Sequence, residues 1–130
     1  MKPIFIKNAL KPAGHYVPAM MHKDIIYVSG QLAIDPITGE KKHGGIEEET
    51  EMVLKNLEAI LEAADSDRNH VLKTTIYIAD ISLWDQVNKI YADFFGDHKP
   101  TRAIVPSREL HHGFQIEIEA IAAVKEQRVS

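Results

Sequence analysis

Apolar residues recur with two different spacings along the chain, and these spacings predict where helices and strands lie. In the segment 46–64, apolar residues follow one another at helical intervals, which predicts an amphipathic helix. A second helical stripe runs from Ser82 to residue 95, and Ser82 with Asp85 three positions later has the pattern of a capping box. We expect the large side chains of this second stripe to pack into the core. They are Trp84, Val87, Tyr91, Phe94 and Phe95.

Five short apolar segments, several of them rich in β-branched residues, predict strands. Because the helices fall between strands, the order predicts an α+β fold with a single mixed sheet, and right-handed crossovers place both helices on one face of it. The opposite face still carries Thr75, Tyr77 and Ile121, which is too apolar for open water, so we expect another copy of the chain to cover it. The predicted strands cover residues 4–6, 25–29, 71–79, 101–105 and 114–124.

Composition narrows the class of protein. A chain of 130 residues with 45% hydrophobic and 26% charged residues is typical of one soluble globular domain, here residues 1–130. The net charge of −4 argues against nucleic acid as a partner, and the absence of cysteine excludes disulfides and thiolate nucleophiles. The first residues lack a signal-peptide core, and no segment approaches the roughly 20 apolar residues of a membrane span. We therefore expect a cytoplasmic protein without membrane contact.

Arg102 stands inside an apolar run, two residues after Pro100, so a rigid corner fixes its position. A guanidinium remains charged, so enclosing it beside the apolar segment 103–105 costs several kcal/mol unless an anion pairs with it. An internal carboxylate such as Glu117 or Glu119 would satisfy this requirement. So would the carboxylate of a small organic acid, held through two parallel hydrogen bonds. The residues alone leave both alternatives open.

Three further side chains are candidates for a site. Glu117 projects from the polar side of the last predicted strand, where a carboxylate is either solvated or, at an enclosed seam, able to hold a water and relay a proton. Tyr16 lies in a constrained turn between Gly14 and Pro18, where it either packs or forms the wall of a pocket. Asn88 interrupts the apolar stripe of the second helix, a position that usually faces solvent.

The motifs of metal and nucleotide chemistry are missing from the sequence. Of the seven histidines only His111 and His112 are adjacent, and neighbouring side chains in a loop point apart. No H-E-x-x-H spacing, G-x-S-x-G elbow, Walker loop or G-x-G-x-x-G turn occurs. We therefore predict no metal site.

One series of motifs is specific in combination. P-T-R-A-I-V at 100–105 is followed by R-E-L at 108–110 and I-E-I at 116–118. With this series, and over nearly its whole length, the chain resembles the Rid (reactive intermediate deaminase) family, also called YjgF-type. Weaker matches in the same order are G-x-Y at 14–16, Y-V-S-G-Q at 27–31, D-P-x-T-G at 35–39, K-T-T at 73–75 and V-N-x-x-Y at 87–91.

The resemblance implies a chorismate-mutase-like α+β fold assembled as a homotrimer, with sites in the clefts between subunits. It implies hydrolysis of enamines and imines, such as 2-aminoacrylate and other 2-imino acids, to 2-oxo acids and ammonia without a cofactor. This is the activity of a 2-iminobutanoate/2-iminopropanoate deaminase. In such a site Arg102 would clamp the substrate carboxylate, and Glu117 would activate the attacking water and assist the departure of ammonia. Tyr16, Gly30, Asn88 and the backbone of Ile104 would complete the pocket.

The chain departs from the family pattern near the expected site. His15 and Pro18 flank Tyr16 where the family commonly has other residues, and Ala103 and Ile104 replace a serine and a cysteine. The L-H-H-G-F segment at 110–114 replaces the usual leucine-proline loop. These changes bear on substrate range more than on Arg102.

Two other functions remain as alternatives to an imine deaminase. One is a non-catalytic binder of small carboxylates, or a protein-interaction module, on the same trimeric scaffold. The other is an RNA-cleaving protein, which the acidic balance and the lack of a basic and aromatic face oppose.

Overall fold

The computed structural model describes residues 1–125, which form one mixed sheet of six strands with two helices. The strands lie in the order β1-β2-β3-β6-β4-β5, and β4 and β5 are the parallel neighbours while the other pairs are antiparallel. This confirms the predicted α+β class. The strands are β1 (Lys2–Ile4), β2 (Ala19–His22), β3 (Ile25–Gln31), β4 (Val71–Ile78), β5 (Thr101–Pro106) and β6 (Ile116–Ala123).

The helices α1 (Ile46–Ala63) and α2 (Trp84–Phe95) pack on the same face of the sheet, as predicted. The apolar stripe of α1 is buried against β3 and β6, and α2 packs beside α1. On α2, Val87, Tyr91 and Phe95 are buried, so its large side chains belong to the core. Strand β6 alternates strictly, with buried residues toward the helices and partly buried ones on the other face.

Two strand predictions were wrong at the start of the chain. The first strand covers Lys2–Ile4 rather than residues 4–6, and β2 (Ala19–His22) was missed. Alanine, methionine and histidine have little strand preference, and the turn at Lys23 and Asp24 is not a usual hairpin sequence. Pairing with β3 and a positive φ of 56° at Lys23 nevertheless form the hairpin. The strand therefore depends on its neighbour rather than on its own sequence.

The predicted capping box at Ser82 was also wrong. A short 3₁₀ turn, Ile81–Leu83, precedes α2, and the Ser82 N–H donates to Oδ1 of Asp80 over 2.8 Å. Helix α2 begins at Trp84 with no side-chain cap. The capping residue is thus Asp80, two positions before the serine of the motif.

The sheet face opposite the helices is not covered by any element within residues 1–125. Thr75, Tyr77 and Ile121 on this face are only partly buried, and Tyr27 is 48% exposed. We call this surface the open face. No helix in the described part of the chain is both long and apolar enough to cross a membrane.

Candidate functional site

Glu117 lies on the open face and lines a cavity of about 960 Å³ together with Tyr16, Gly30 and Glu119. Its position on β6 is set by alternation, since Ile116 and Ile118 on either side are fully buried toward the helices. The register pairs Glu117 with Tyr77 of β4, which faces the same way. We call this space the β6 cavity.

Gly30 permits the carboxylate of Glu117 to lie directly against the backbone of β3. The ladder between β3 and β6 is irregular between Val28 and Gln31, so Gly30 sits in a bulge. A Cβ at position 30 would lie 2.9 Å from Cδ of Glu117 and closer still to its carboxylate oxygen. Because real side chains do not approach so closely, any residue other than glycine would displace the carboxylate.

The surroundings of Glu117 favour its protonated form. Burial raises the pKa of Glu117, the nearby negative charge of Glu119 raises it further, and the positive charge of His111 opposes both. Glu119 is itself held in place, because the Tyr77 hydroxyl donates to its Oε1 over 3.0 Å. A carboxyl group with a raised pKa can exchange protons nearer to neutral pH than a free glutamate can.

Tyr16 reaches the β6 cavity from an irregular segment that is tied to β3. The Ser29 hydroxyl donates to the carbonyl of Val17 over 2.7 Å, and the Ser29 N–H donates to the carbonyl of Pro18 over 2.9 Å. Tyr16 remains 57% exposed. Its ring therefore forms part of the cavity wall on a segment whose backbone is fixed.

Arg102 lies at the other side of the sheet, on β5, where it contacts three side chains of α2. Its Nη1 donates to Oδ1 of Asn88 over 3.0 Å, and its Cζ lies 4.6 Å from the ring centroid of Trp84 and 5.1 Å from that of Tyr91. Tyr91 is anchored in turn by a hydroxyl contact of 2.7 Å with Thr74. Aromatic faces and an amide oxygen orient the guanidinium without neutralising its charge.

The internal ion pair considered for Arg102 is not formed. Within residues 1–125, the guanidinium has no salt bridge to Glu117, Glu119 or any other carboxylate. The expectation that Arg102 is enclosed by apolar residues was wrong for the single chain, because β5 is an edge strand and Arg102 is exposed. Its full charge is therefore available to an anion from outside the described chain.

The predicted site residues fall into two groups on opposite faces of the sheet. Arg102 pairs in register with Thr74, whose hydroxyl points to the helices, whereas Glu117 pairs with Tyr77 on the open face. Asn88 and Arg102 line a second cavity of about 390 Å³, which we call the β5 cavity. Ile104 lines neither cavity, and its side chain packs against the core.

Sequence reasoning assigned no role in the site to several residues that shape these cavities. His111 reaches the β6 cavity, Ser29 fixes the segment of Tyr16, and Trp84 stacks beside Arg102. A usable signal existed only for His111, which falls in a segment that departs from the family pattern. Within the described chain, no group of three or more histidine, aspartate or glutamate side chains is arranged to hold a metal ion.

Comparison with known proteins identifies the family. The family model described as Endoribonuclease L-PSP matches residues 6–124, and the chain belongs to this family, which is the Rid or YjgF-type family of the sequence resemblance.

Relatives and solved structures support this assignment over nearly the whole chain. A RutC family protein of Pyrococcus horikoshii is 44% identical over 119 residues, which are 92% of this chain and 94% of the relative. A 2-iminobutanoate/2-iminopropanoate deaminase of Rattus norvegicus is 43% identical over 121 residues, 93% of this chain and 88% of the relative. The structure of TdcF from E. coli with bound serine is also similar, with a TM-score of 0.88 and 30% sequence identity. The similarity covers 96% of this chain and 100% of TdcF.

Proposed function

We propose that this protein hydrolyses enamine and imine intermediates, such as 2-aminoacrylate and related 2-imino acids, to 2-oxo acids and ammonia in clefts between the subunits of a homotrimer. The observation that carries the proposal is the division of the candidate residues into a cationic and an acidic half on opposite faces of one sheet. The deaminase name of a relative that is 43% identical supports the same reaction.

Arg102 binds the substrate carboxylate in this proposal. The guanidinium has a planar fork of N–H donors that matches a carboxylate, and its only side-chain hydrogen bond among residues 1–125 is to neutral Asn88. Trp84 and Tyr91 hold it by cation–π contact, which leaves the donors on its outer edge available. A small anion is therefore a better ligand for this half than a neutral molecule.

Glu117 performs the proton transfers. It is partly buried, its pKa is raised, and the absence of a side chain at Gly30 lets its carboxylate lie at the β6 cavity, where a water or the substrate nitrogen can bind. Tyr16 closes the wall of the same cavity. A group that both accepts and returns a proton near neutral pH is what imine hydrolysis requires.

Two subunits are needed because one chain separates the two halves across its own sheet. If the open face packs against the β5 edge of a neighbouring copy, the β5 cavity of one subunit meets the β6 cavity of the next. The exposed aromatic surface at Tyr27 and Tyr77 favours such burial over contact with water. Ile104 lies on β5, and because β5 is an edge strand, one side of its backbone is not paired with any strand of the described chain.

The reaction needs little more than this arrangement. The enamine first becomes the imine by transfer of a proton from nitrogen to the terminal carbon. The oxygen of a water then bonds to the imine carbon while the water gives a proton to Glu117 and the nitrogen takes one from solvent. Glu117 next returns its proton to nitrogen, the C–N bond breaks with its electron pair on ammonia, and the hydroxyl gives its proton to solvent as the 2-oxo acid forms. Arg102 orients the substrate, and Glu117 with solvent carries the protons, so no step requires a bound cofactor.

A coupled assay tests the proposal. A dehydratase generates 2-aminoacrylate, and we expect the 2-oxo acid to be released faster with the protein than without it. Arg102→Lys keeps the charge but loses the planar fork, and with it one hydrogen bond to a charged group. Such a bond is worth roughly 1.5–3 kcal/mol, so we expect kcat/KM to fall by about 10- to 100-fold. Arg102→Ala should lose more, and Arg108→Lys, an exposed arginine outside both cavities, should match the wild type.

Three results would contradict the proposal in different ways. Unchanged release of the 2-oxo acid would refute the activity, and calorimetric binding of a 2-oxo acid without turnover would then indicate a non-catalytic carboxylate binder. Turnover that survives in Arg102→Ala would refute the clamp alone. Cleavage of RNA by the wild-type protein, weakening steeply with salt, would favour the endoribonuclease activity after which the family model is named.

A further inference from the structure

His111 lies at the β6 cavity, the same space that Glu117, Tyr16 and Gly30 line. It belongs to the short turn His111–Gly113, which precedes β6 and therefore approaches Glu117 from the end of its own strand. The side chain of His111 is exposed in the single chain, so its ring is accessible to a molecule in the cavity.

The turn that carries His111 is well anchored. Phe114 immediately after it is fully buried and stacks on His43, with ring centroids 4.3 Å apart. The Gly113 N–H donates to the carbonyl of Leu110 over 3.0 Å, and the Gln115 N–H donates to Oε1 of buried Glu49 over 2.8 Å. The backbone of His111 is therefore held at the cavity by the core rather than left on a free loop.

His111 and Glu117 also interact electrostatically. The positive charge of His111 lowers the pKa of Glu117 against the larger opposing effects of burial and Glu119. Both side chains line the β6 cavity, so this interaction acts within one space. The pair therefore combines a carboxyl group and an imidazole in one space.

Imine hydrolysis as proposed above needs two proton transfers in each half of the reaction, and Glu117 can supply only one of them at a time. Water must lose a proton while the nitrogen gains one, and later the hydroxyl must lose a proton while the nitrogen gains another. An imidazole ordinarily changes charge between pH 5 and 8 and can both donate and accept. A second group of this kind at the cavity would remove the need for free solvent to carry the other proton.

We propose that His111 is a second proton-transfer group of the site, working with Glu117, and this inference rests on the proposed function. In the addition step the water proton passes to the Glu117 carboxylate and the protonated imidazole of His111 gives a proton to the imine nitrogen. In the elimination step Glu117 gives its proton to the nitrogen, the C–N bond breaks with the electron pair on ammonia, and the hydroxyl proton passes to His111. Both groups end in their starting states, and one water is consumed.

Other charges around His111 bear on its pH dependence. Lys41 lines the cavity from the segment before α1, and His112 also lines it. The ring of His112 contacts that of His111, with centroids 3.8 Å apart, so the expectation that these neighbouring side chains point apart was wrong. Glu117 and Glu119 face it from β6. The further titratable side chains of the cavity are Lys11, Tyr16 and Asp35.

The test compares His111→Gln with His22→Gln, a matched control because His22 is an exposed histidine at the end of β2 that lines neither cavity. kcat/KM for 2-aminoacrylate is measured from pH 5 to 8 with the generating enzyme in excess and spontaneous hydrolysis subtracted. We expect His111→Gln to lower kcat/KM by about 100-fold and to lose the fall in rate toward high pH, as removal of a proton-transfer group does. His22→Gln should keep both the rate and the profile.

A second measurement follows the Glu117 carboxyl group by NMR in the same proteins. Loss of the His111 charge should raise the pKa of Glu117 in His111→Gln, whereas His22→Gln should leave it unchanged. If the wild type is active and His111→Gln has the same pH profile, the role of His111 is refuted while the proposed function stands. An unchanged Glu117 titration would likewise refute the role of His111, whereas an inactive wild type would overturn the proposed function and this inference together.

Discussion

Glu117 illustrates how neighbours change the chemistry of one residue. In the sequence it is a glutamate between two isoleucines, which is equally typical of a solvated sheet face. In the structure, burial and Glu119 raise its pKa, and Gly30 allows its carboxylate to lie against the backbone of β3. The protonated form is therefore favoured by folding.

This preference predicts how stability depends on pH. The pKa of Glu117 is higher in the folded protein than in the unfolded chain. The contribution of Glu117 to the free energy of unfolding is therefore complete at low pH, where Glu117 is protonated in both the folded and the unfolded protein. This contribution decreases as the pH rises from about 4.5 through the raised pKa of the folded protein. In Glu117→Gln the side chain stays neutral at pH 7, so folding does not bury a negative charge at this position. We therefore expect its thermal unfolding midpoint at pH 7 to exceed that of the wild type by a few degrees. Thermal unfolding at pH 4 should show a smaller difference.

Glu119→Gln is the matched control for this prediction. It keeps an oxygen for the Tyr77 hydroxyl but removes the charge that raises the pKa of Glu117, so the Glu117 titration should move toward the ordinary value. A midpoint difference for Glu117→Gln that did not vary between pH 4 and pH 7 would contradict the linkage.

At the scale of elements, the start of α2 depends on a residue outside the helix. Asp80 accepts the Ser82 N–H at the start of the 3₁₀ turn, and hydrogen bonds from the side chain and then the backbone of Ser82 lower the pKa of Asp80. Since α2 carries Trp84, Asn88 and Tyr91 toward Arg102, the same turn also fixes the geometry of the β5 cavity.

We expect Asp80→Ala to destabilise the protein by about 1 kcal/mol, the usual cost of losing a side chain that caps a helical turn. Ser82→Ala should cost less, because the N–H that Asp80 accepts remains. Chemical denaturation of both variants measures the difference. An equal or greater loss in Ser82→Ala would restore the capping box that the sequence pattern suggested.

At the scale of the whole molecule, the proposed function requires that the β5 cavity of one subunit meet the β6 cavity of its neighbour. Arg102→Ala and Glu117→Gln should each be inactive, yet co-expressed with different tags they should form mixed trimers with some intact sites. In every mixed trimer one of the three shared sites takes an intact Arg102 from one subunit and an intact Glu117 from its neighbour, so doubly tagged trimers should recover about a third of wild-type activity. The coupled assay on doubly tagged material measures the recovery.

The control is co-expression of Arg102→Ala with the double variant Arg102→Ala/Glu117→Gln, in which no site can contain both residues. Recovery in this control, or none in the first mixture when both proteins co-purify as one assembly, would show that a site is not shared between subunits.

The spacing of apolar residues along the sequence is enough to predict much of the architecture. The helical stripe of α1, the β-branched run of β4 and the alternation of β6 each follow from local sequence and were confirmed. Strand β2 and the Asp80 cap could not be found in this way, because the first depends on pairing with β3 and the second on a turn whose path is set by packing.

The sequence by itself determined the fold class, the family resemblance and the identity of the residues that carry charge near the expected site. Only the tertiary structure decided how they are grouped: Arg102 with α2 on one face, and Glu117 with Tyr16, Gly30 and His111 on the other. The physical reason is that strand alternation fixes which side of a strand a residue takes, whereas the partners across that face come from distant segments whose register is set by packing of the whole sheet.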